Sequence, residues 1–368
     1  MTKLIPIAKP EILKSDIKLA SKALKDGWNK KHTYYINKFE DNFKKKIKTN
    51  YAIATSSCTG ALTLALASLN LKKGSEIILS NLNWVATVSP IVNLGFKPIF
   101  CDIEIKNWCI NPLKLTTLIN KKTGAIIVTH LYGNLCDMEK IMKLSKEKKI
   151  PVIEDAAEAL GSKCKKRYAG TIGDIGCFSF HASKSLTTGE GGMIVTNKKR
   201  IYDKVKKLSD HGRSKNNYSS YLADEIGFKF KMTNFQAALG ISQLKRFKKI
   251  ISRKREIFQY YKNGLKTLNF NFNYQDKNDY NSYWLTSIYV NKNKNFSFKN
   301  FRKYMLKAKV DVRNFFPPLS KLKMFNYKKN YKNTFIISRN SFNLPSHIGI
   351  TKKQMDIIID LIKKYFHK

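Results

Sequence analysis

The chain has 368 residues, with 69 Lys or Arg against 26 Asp or Glu and a formal charge of +43. Ordinary apolar content and plentiful aromatics exclude a disordered polymer, and the length allows one large domain and one small one. The charge invites a nucleic-acid partner, yet the lysines are spread along the whole chain rather than gathered in a block or an aromatic-laced stripe. They read as a solvated basic surface, which also suits an anionic small substrate.

Residues 1–14 contain no apolar h-region, so no secretory leader is expected. No run of about 18 apolar residues reads as a membrane span. None of the six cysteines forms a CxxC pair, so no zinc or redox site is expected. The expectations are a reducing cytoplasm, no metal, no membrane and no nucleic acid.

In chain order, residues 51–55 read as a strand and 59–69 as a helix, which Gly74 ends. Short apolar strands follow at 76–80, 97–103, 124–131 and 151–157, with helical segments near 84–94, 112–120 and 137–148 between them. Such alternation predicts an α/β fold with a mostly parallel sheet covered by helices on both faces. Two more strands are predicted at 177–180 and 192–196. One long helix is predicted from Thr233 past Arg253, with Phe235, Ala238, Leu239, Ile241, Leu244 and Phe247 inside. Segment 269–281, rich in Asn, Asp and Tyr, reads as a connection. A strand at 282–290 and amphipathic helices at 301–310 and 352–366 then form a smaller α+β lobe. The predicted division is 1–250, a large domain with an N-terminal arm, and 251–368, a small one.

Four features carry chemistry. Ser57, Cys58 and Thr59 stand between a strand and a helix, where hydroxyls and free amides make an anion cup; alone, Ser57 or Thr59 also reads as an ordinary N-cap. Asp155 ends an apolar strand, at the sheet edge where ligands sit, and a carboxylate there can hold a protonated ring nitrogen. Lys184 follows a buried strand carrying Ser179 and precedes Gly189-Glu190-Gly191-Gly192, so it reads as a cleft lysine able to form a Schiff base. Trp84, just past a strand end, can stack on a planar ring. His181 reads as lining rather than as a metal ligand. A phosphate cup, an aromatic plate, an acid and an amine are the parts that a pyridoxal phosphate (PLP) site needs.

With these residues in view, the chain resembles the PLP-dependent sugar aminotransferases of the DegT/DnrJ/EryC1/StrS group, most specifically through VIEDAAEALG and CFSFHASKSLTTGEGGMIVTN. Supporting matches are SSCTGALTLALASL, VTHLYGNLCDM and SRKREI. The resemblance implies a fold-type I, aspartate aminotransferase-like architecture. Within the group the chain is most similar to the GDP-perosamine synthase branch, which aminates C4 of a 4-keto-6-deoxy sugar of perosamine or viosamine type. Carried over residue by residue, Lys184 is the cofactor lysine and Asp155 the partner of the ring nitrogen. Glu158 lies near the ring hydroxyl and Trp84 on the ring. Ser57, Cys58, Thr59 and Ser179 form the phosphate cup. Lys229 stands where relatives have an asparagine that reaches the neighbouring subunit's phosphate. His181, Glu190 and Arg313 are candidate substrate contacts. Ser320 stands near where relatives often carry a histidine beside the sugar. The resemblance further implies pyridoxamine phosphate as the alternate cofactor form, a nucleotide-sugar acceptor, L-glutamate and 2-oxoglutarate as the donor pair, and a homodimer. Two alternatives stay open: amination at C3, or a binding protein on this fold that uses its basic surface. A 3-dehydratase, in which histidine replaces the lysine, is disfavoured by Lys184.

Overall fold

The computed structural model describes residues 4–213, 222–291, 296–325 and 330–367. Helices α1 (Lys14–Asp26) and α2 (Tyr34–Ile47) lead into strand β1 (Tyr51–Thr55) and helix α3 (Cys58–Ala67). Then come β2 (Glu76–Ser80), α4 (Val85–Asn93), β3 (Lys97–Cys101), α5 (Pro112–Leu118), β4 (Thr123–Thr129), α6 (Met138–Lys148) and β5 (Val152–Asp155). A small hairpin of β6 (Lys163–Cys164) and β7 (Arg167–Tyr168) precedes β8 (Ile175–Ser179) and β9 (Gly192–Thr196). Helices α7 (Lys199–Leu208), α8 (Asn234–Lys245) and α9 (Phe247–Gly264) follow.

The seven-stranded sheet has the order β1-β9-β8-β5-β4-β2-β3. Only β9 runs against the others. Side-chain alternation assigns its two faces. Ile53, Ile77, Ile127, Ile153 and Ile194 pack with α3, α4 and α7 on one side. Ala52, Ala54, Phe178, Met193 and Val195 pack with α2 and α8 on the other, and Ile126, Val128 and Val152 with α6. Both faces are therefore buried, as near-continuous apolar strands require. This is the fold-type I, α/β architecture.

The long helix expected from Thr233 is two helices, broken at Arg246. The Arg246 guanidinium pairs with Glu11 and lies 2.8 Å from Asp16 on α1, which ties the break to the N-terminal segment. Phe235, expected inside, is 43% exposed because α8 turns its other side toward α1 and α2. Helix α9 runs unbroken through residue 250, and Ile251 and Ile257 on it belong to different apolar clusters.

The second sheet is antiparallel, with order β10-β11-β13-β12. Its strands are β10 (Phe270–Phe272), β11 (Thr286–Val290), β12 (Arg313–Asn314) and β13 (Ser341–Leu344), packed with α9, α10 (Phe298–Lys307) and α12 (Lys352–Phe366). Helix α11 (Lys332–Arg339) precedes β13. Strand β10 lies inside the segment expected to be a plain connection. The N-terminal arm straps this sheet to the first. Ile5 N donates to Lys309 O at 2.8 Å, Asp311 N to Ile5 O at 3.0 Å and Ser346 N to Ile7 O at 3.0 Å. Ile5 belongs to the small-sheet cluster and Ile7 to a large-sheet one. Among the described residues no helix is long and apolar enough to cross a membrane.

Candidate active site

The carboxyl ends of the parallel strands share one edge of the large sheet, and β9, being antiparallel, begins there. Strand β1 delivers Ser57, the N-cap of α3, whose Oγ accepts from Gly60 N at 3.0 Å. That bond uses an acceptor site of the hydroxyl and leaves its proton free for an anion. Gly192 is needed opposite: a Cβ there would lie 2.5 Å from Ser57 O. Strand β5 ends in Asp155 and β8 in Ser179, and the loop after β8 turns back with Lys184 N donating to His181 O.

These residues enclose a cavity of about 370 Å³. It brings together Ser57, Cys58, Thr59, Trp84, Asp155, Glu158, Ser179, His181, Lys184, Glu190 and Arg313. Lys229 lies elsewhere, exposed, with Nζ 3.9 Å from Asp210 Oδ1. His181 sits at the mouth, its Nε2 3.5 Å from Glu190 Oε1 and its Nδ1 2.9 Å from Ser183 Oγ.

At the cavity floor, Lys184 Nζ donates to Glu158 Oε1 at 3.3 Å and lies 3.7 Å from the centroid of the Trp284 ring. Glu158 is held from behind by Tyr132 N, which donates to Oε2 at 2.9 Å. Tyr132 accepts a left-handed φ of 54° to aim that amide. Asp155 Oδ2 accepts from Thr87 Oγ1 at 2.7 Å, and Oδ1 from Ala157 N at 3.2 Å. Burial pushes the Asp155 pKa up, opposed chiefly by the Thr87 hydroxyl. Burial likewise raises Glu158, opposed chiefly by the Lys184 charge. The Cys58 thiol is driven well up by burial, so it stays a neutral part of the cup.

The sequence reading missed Thr87, Asn83, Thr129, Trp284 and Phe316, which also line the cavity. Thr87 stands one turn after Trp84 on α4, and helical spacing from Trp84 was a usable signal for it. Trp284 and Phe316 come from the small-sheet region and carry no local mark of a site. Ser320 is fully buried, with its amide on Asn81 Oδ1 at 2.8 Å.

The residues fit PLP. A buried carboxyl whose charge burial disfavours calls for a cationic partner, which a protonated ring nitrogen supplies. An amine, an indole face and a hydroxyl-lined helix start stand around the same space.

Comparison with known proteins agrees. The model of the DegT/DnrJ/EryC1/StrS aminotransferase family matches residues 10–363. GDP-perosamine synthase of Escherichia coli O157:H7 is 34% identical over 365 residues, 99% of each chain. Helicobacter pylori PseC, an aminotransferase involved in the biosynthesis of pseudoaminic acid, superposes with TM-score 0.92 at 25% identity, covering 99% of this chain and 100% of that one. The PLP-form of a Streptococcus pneumoniae enzyme, provisionally assigned as a sugar aminotransferase, gives TM-score 0.91 at 25% identity over 98% of each chain. The chain belongs to the DegT/DnrJ/EryC1/StrS aminotransferase family and, as an enzyme of that family, depends on pyridoxal phosphate.

Proposed function

We propose that this enzyme aminates C4 of a nucleotide-linked 4-keto-6-deoxyhexose, with L-glutamate as the amino donor and 2-oxoglutarate as the co-product. The observation that carries the reading is the chain-long similarity to GDP-perosamine synthase, joined to a cavity lined by the amine of Lys184, three carboxyls and two indoles.

Bound PLP supplies an aldehyde for the amine and a ring that accepts electrons. The residues do the rest. Lys184 Nζ would hold the cofactor, and as a free amine it would take the proton from the donor α-carbon and return one to C4 of the sugar. Asp155 would keep a proton on the ring nitrogen, and the Thr87 hydroxyl favours the ionised form of Asp155 and orients it. Glu158 accepts from Lys184 and steers the freed amine. Trp84 would cover the ring, and Ser57, Thr59 and Ser179 would receive the phosphate. His181, Glu190 and Arg313 stand at the mouth as contacts for sugar and diphosphate.

A homodimer is part of this reading, with Lys229 reaching the neighbour's phosphate as a point charge. The exposed Ile17, Leu24 and Trp28 at one end of the chain support a covered apolar face. Sedimentation giving an active monomer at assay concentration sinks that element.

The acceptor is tested by loading the enzyme with pyridoxamine phosphate and offering each acceptor alone. The PLP spectrum should return with a 4-keto-6-deoxy sugar nucleotide and only slowly with pyruvate or oxaloacetate. The reverse order of rates turns the reading toward amino-acid metabolism.

A further inference from the structure

Behind the cavity lies a buried lysine amine that the chemistry above does not use. Lys254, on α9, is 4% exposed. Its Nζ donates to Trp284 O at 2.9 Å and to Ser346 O at 2.6 Å. Both acceptors are main-chain carbonyls. An apolar side chain would fill this position without the desolvation cost of an ammonium group.

The two carbonyls sit where the small sheet meets the active site. Trp284 stands just before β11 and Ser346 just after β13, and Thr286 N donates to Ser346 Oγ at 2.9 Å. The indole held at that junction faces the reacting amine. Its Nε1 donates to Ser183 O at 2.9 Å, and its ring lies 3.7 Å from Lys184 Nζ. Tyr132, whose amide holds Glu158, stacks on the same ring at 6.1 Å and 19°. Lys184 and Lys254 also line one small void of about 10 Å³. A continuous line of contacts thus runs from Lys254 through Trp284 to Ser183 and Lys184.

We propose that Lys254 is a positioning residue for the reaction: it fixes Trp284, and Trp284 fixes the amine of Lys184. Lys254 touches neither substrate nor cofactor. It locks the backbone of Trp284 to α9, so the indole presents its face to one amine and its N–H to the preceding carbonyl. The proposal rests on the reading of Lys184 as the cofactor lysine.

The test uses full-length apoenzyme and PLP, with no sugar or amino acid present, so a wrong acceptor does not disturb it. The readout is the rate at which added PLP becomes attached to Lys184, followed by visible absorbance. Lys254→Met and Trp284→Phe should each slow attachment by on the order of tenfold or more. The double variant should be slower than the slower single by less than about twofold, because both act on one contact line. A Lys254→Met protein that attaches PLP at the wild-type rate, with only its urea midpoint changed, overturns the proposal. So does full multiplication of the two effects. Should Lys254→Met not fold, Trp284→Phe decides: slow attachment supports the proposal and wild-type attachment overturns it. Lys184→Ala runs in parallel, and attachment that survives there overturns the assignment of Lys184 itself.

Discussion

The hydroxyl of Thr87 donates to Asp155 Oδ2 at 2.7 Å, joining residues 68 apart in sequence. It is the largest influence holding down a carboxyl pKa that burial raises. Thr87→Val keeps the shape and removes the donor, so the carboxyl pKa should rise further. The expected loss of about 1–3 kcal/mol corresponds to roughly fivefold to 150-fold in kcat near neutral pH. Thr87→Ser should retain most activity. Steady-state kinetics and cofactor dissociation constants check both variants, and full activity in Thr87→Val removes Thr87 from the machinery.

Lys184→Ala should lose the visible absorbance of the holoenzyme and its turnover. It should keep the cup of Ser57, Thr59 and Ser179 and thus bind PLP non-covalently. A variant with wild-type turnover refutes the assignment.

Gly192→Ala should weaken cofactor binding more than it weakens the fold. The new methyl would meet Ser57 O at 2.5 Å and Thr55 Oγ1 at 2.7 Å, so the turn opening α3 must shift. Overpacking of this kind costs about 1–3 kcal/mol. Comparing the PLP dissociation constant with the urea midpoint separates the two effects; equal losses in both argue against a local shift of the cup.

Burial lowers the Lys254 pKa from 10.5 to about 7. Between those values the unfolded chain holds a proton that the folded chain lacks, so this group's contribution to stability rises with pH. The penalty is fully present below about pH 7 and fades as pH approaches 10.5. Relative to Lys254→Met, wild type should gain a few kcal/mol across that window. Urea unfolding at both ends of the window measures it, and a pH-independent difference rejects the shift.

Much of this was legible because it is local. The alternation in β1, Ala52 and Ala54 against Ile53, is written in consecutive residues. Each strand-end residue from Ser57 to Lys184 sits beside the strand that delivers it, so sheet order alone gathers them. What escaped depends on distant partners. Nothing near Arg246 announces the helix break, because the groups that hold it are Glu11 and Asp16. Trp284 reads as one more strand aromatic until Lys184 is placed beneath its ring. Strand β10 was hidden by the Asn-rich segment around it, and its pairing with Ile288 and Val290 outweighs that composition.

The strap formed by Ile5 and Ile7 has a consequence for how the chain is made. Its hydrogen-bond partners, Lys309, Asp311 and Ser346, lie far downstream in the sequence. A ribosome releases residues in order, so Ile5 and Ile7 emerge before their docking surface exists. Seating them closes a loop that contains the whole large sheet, and closing so long a loop is slow. This segment is therefore among the last to be seated, and its arrival joins the two sheets.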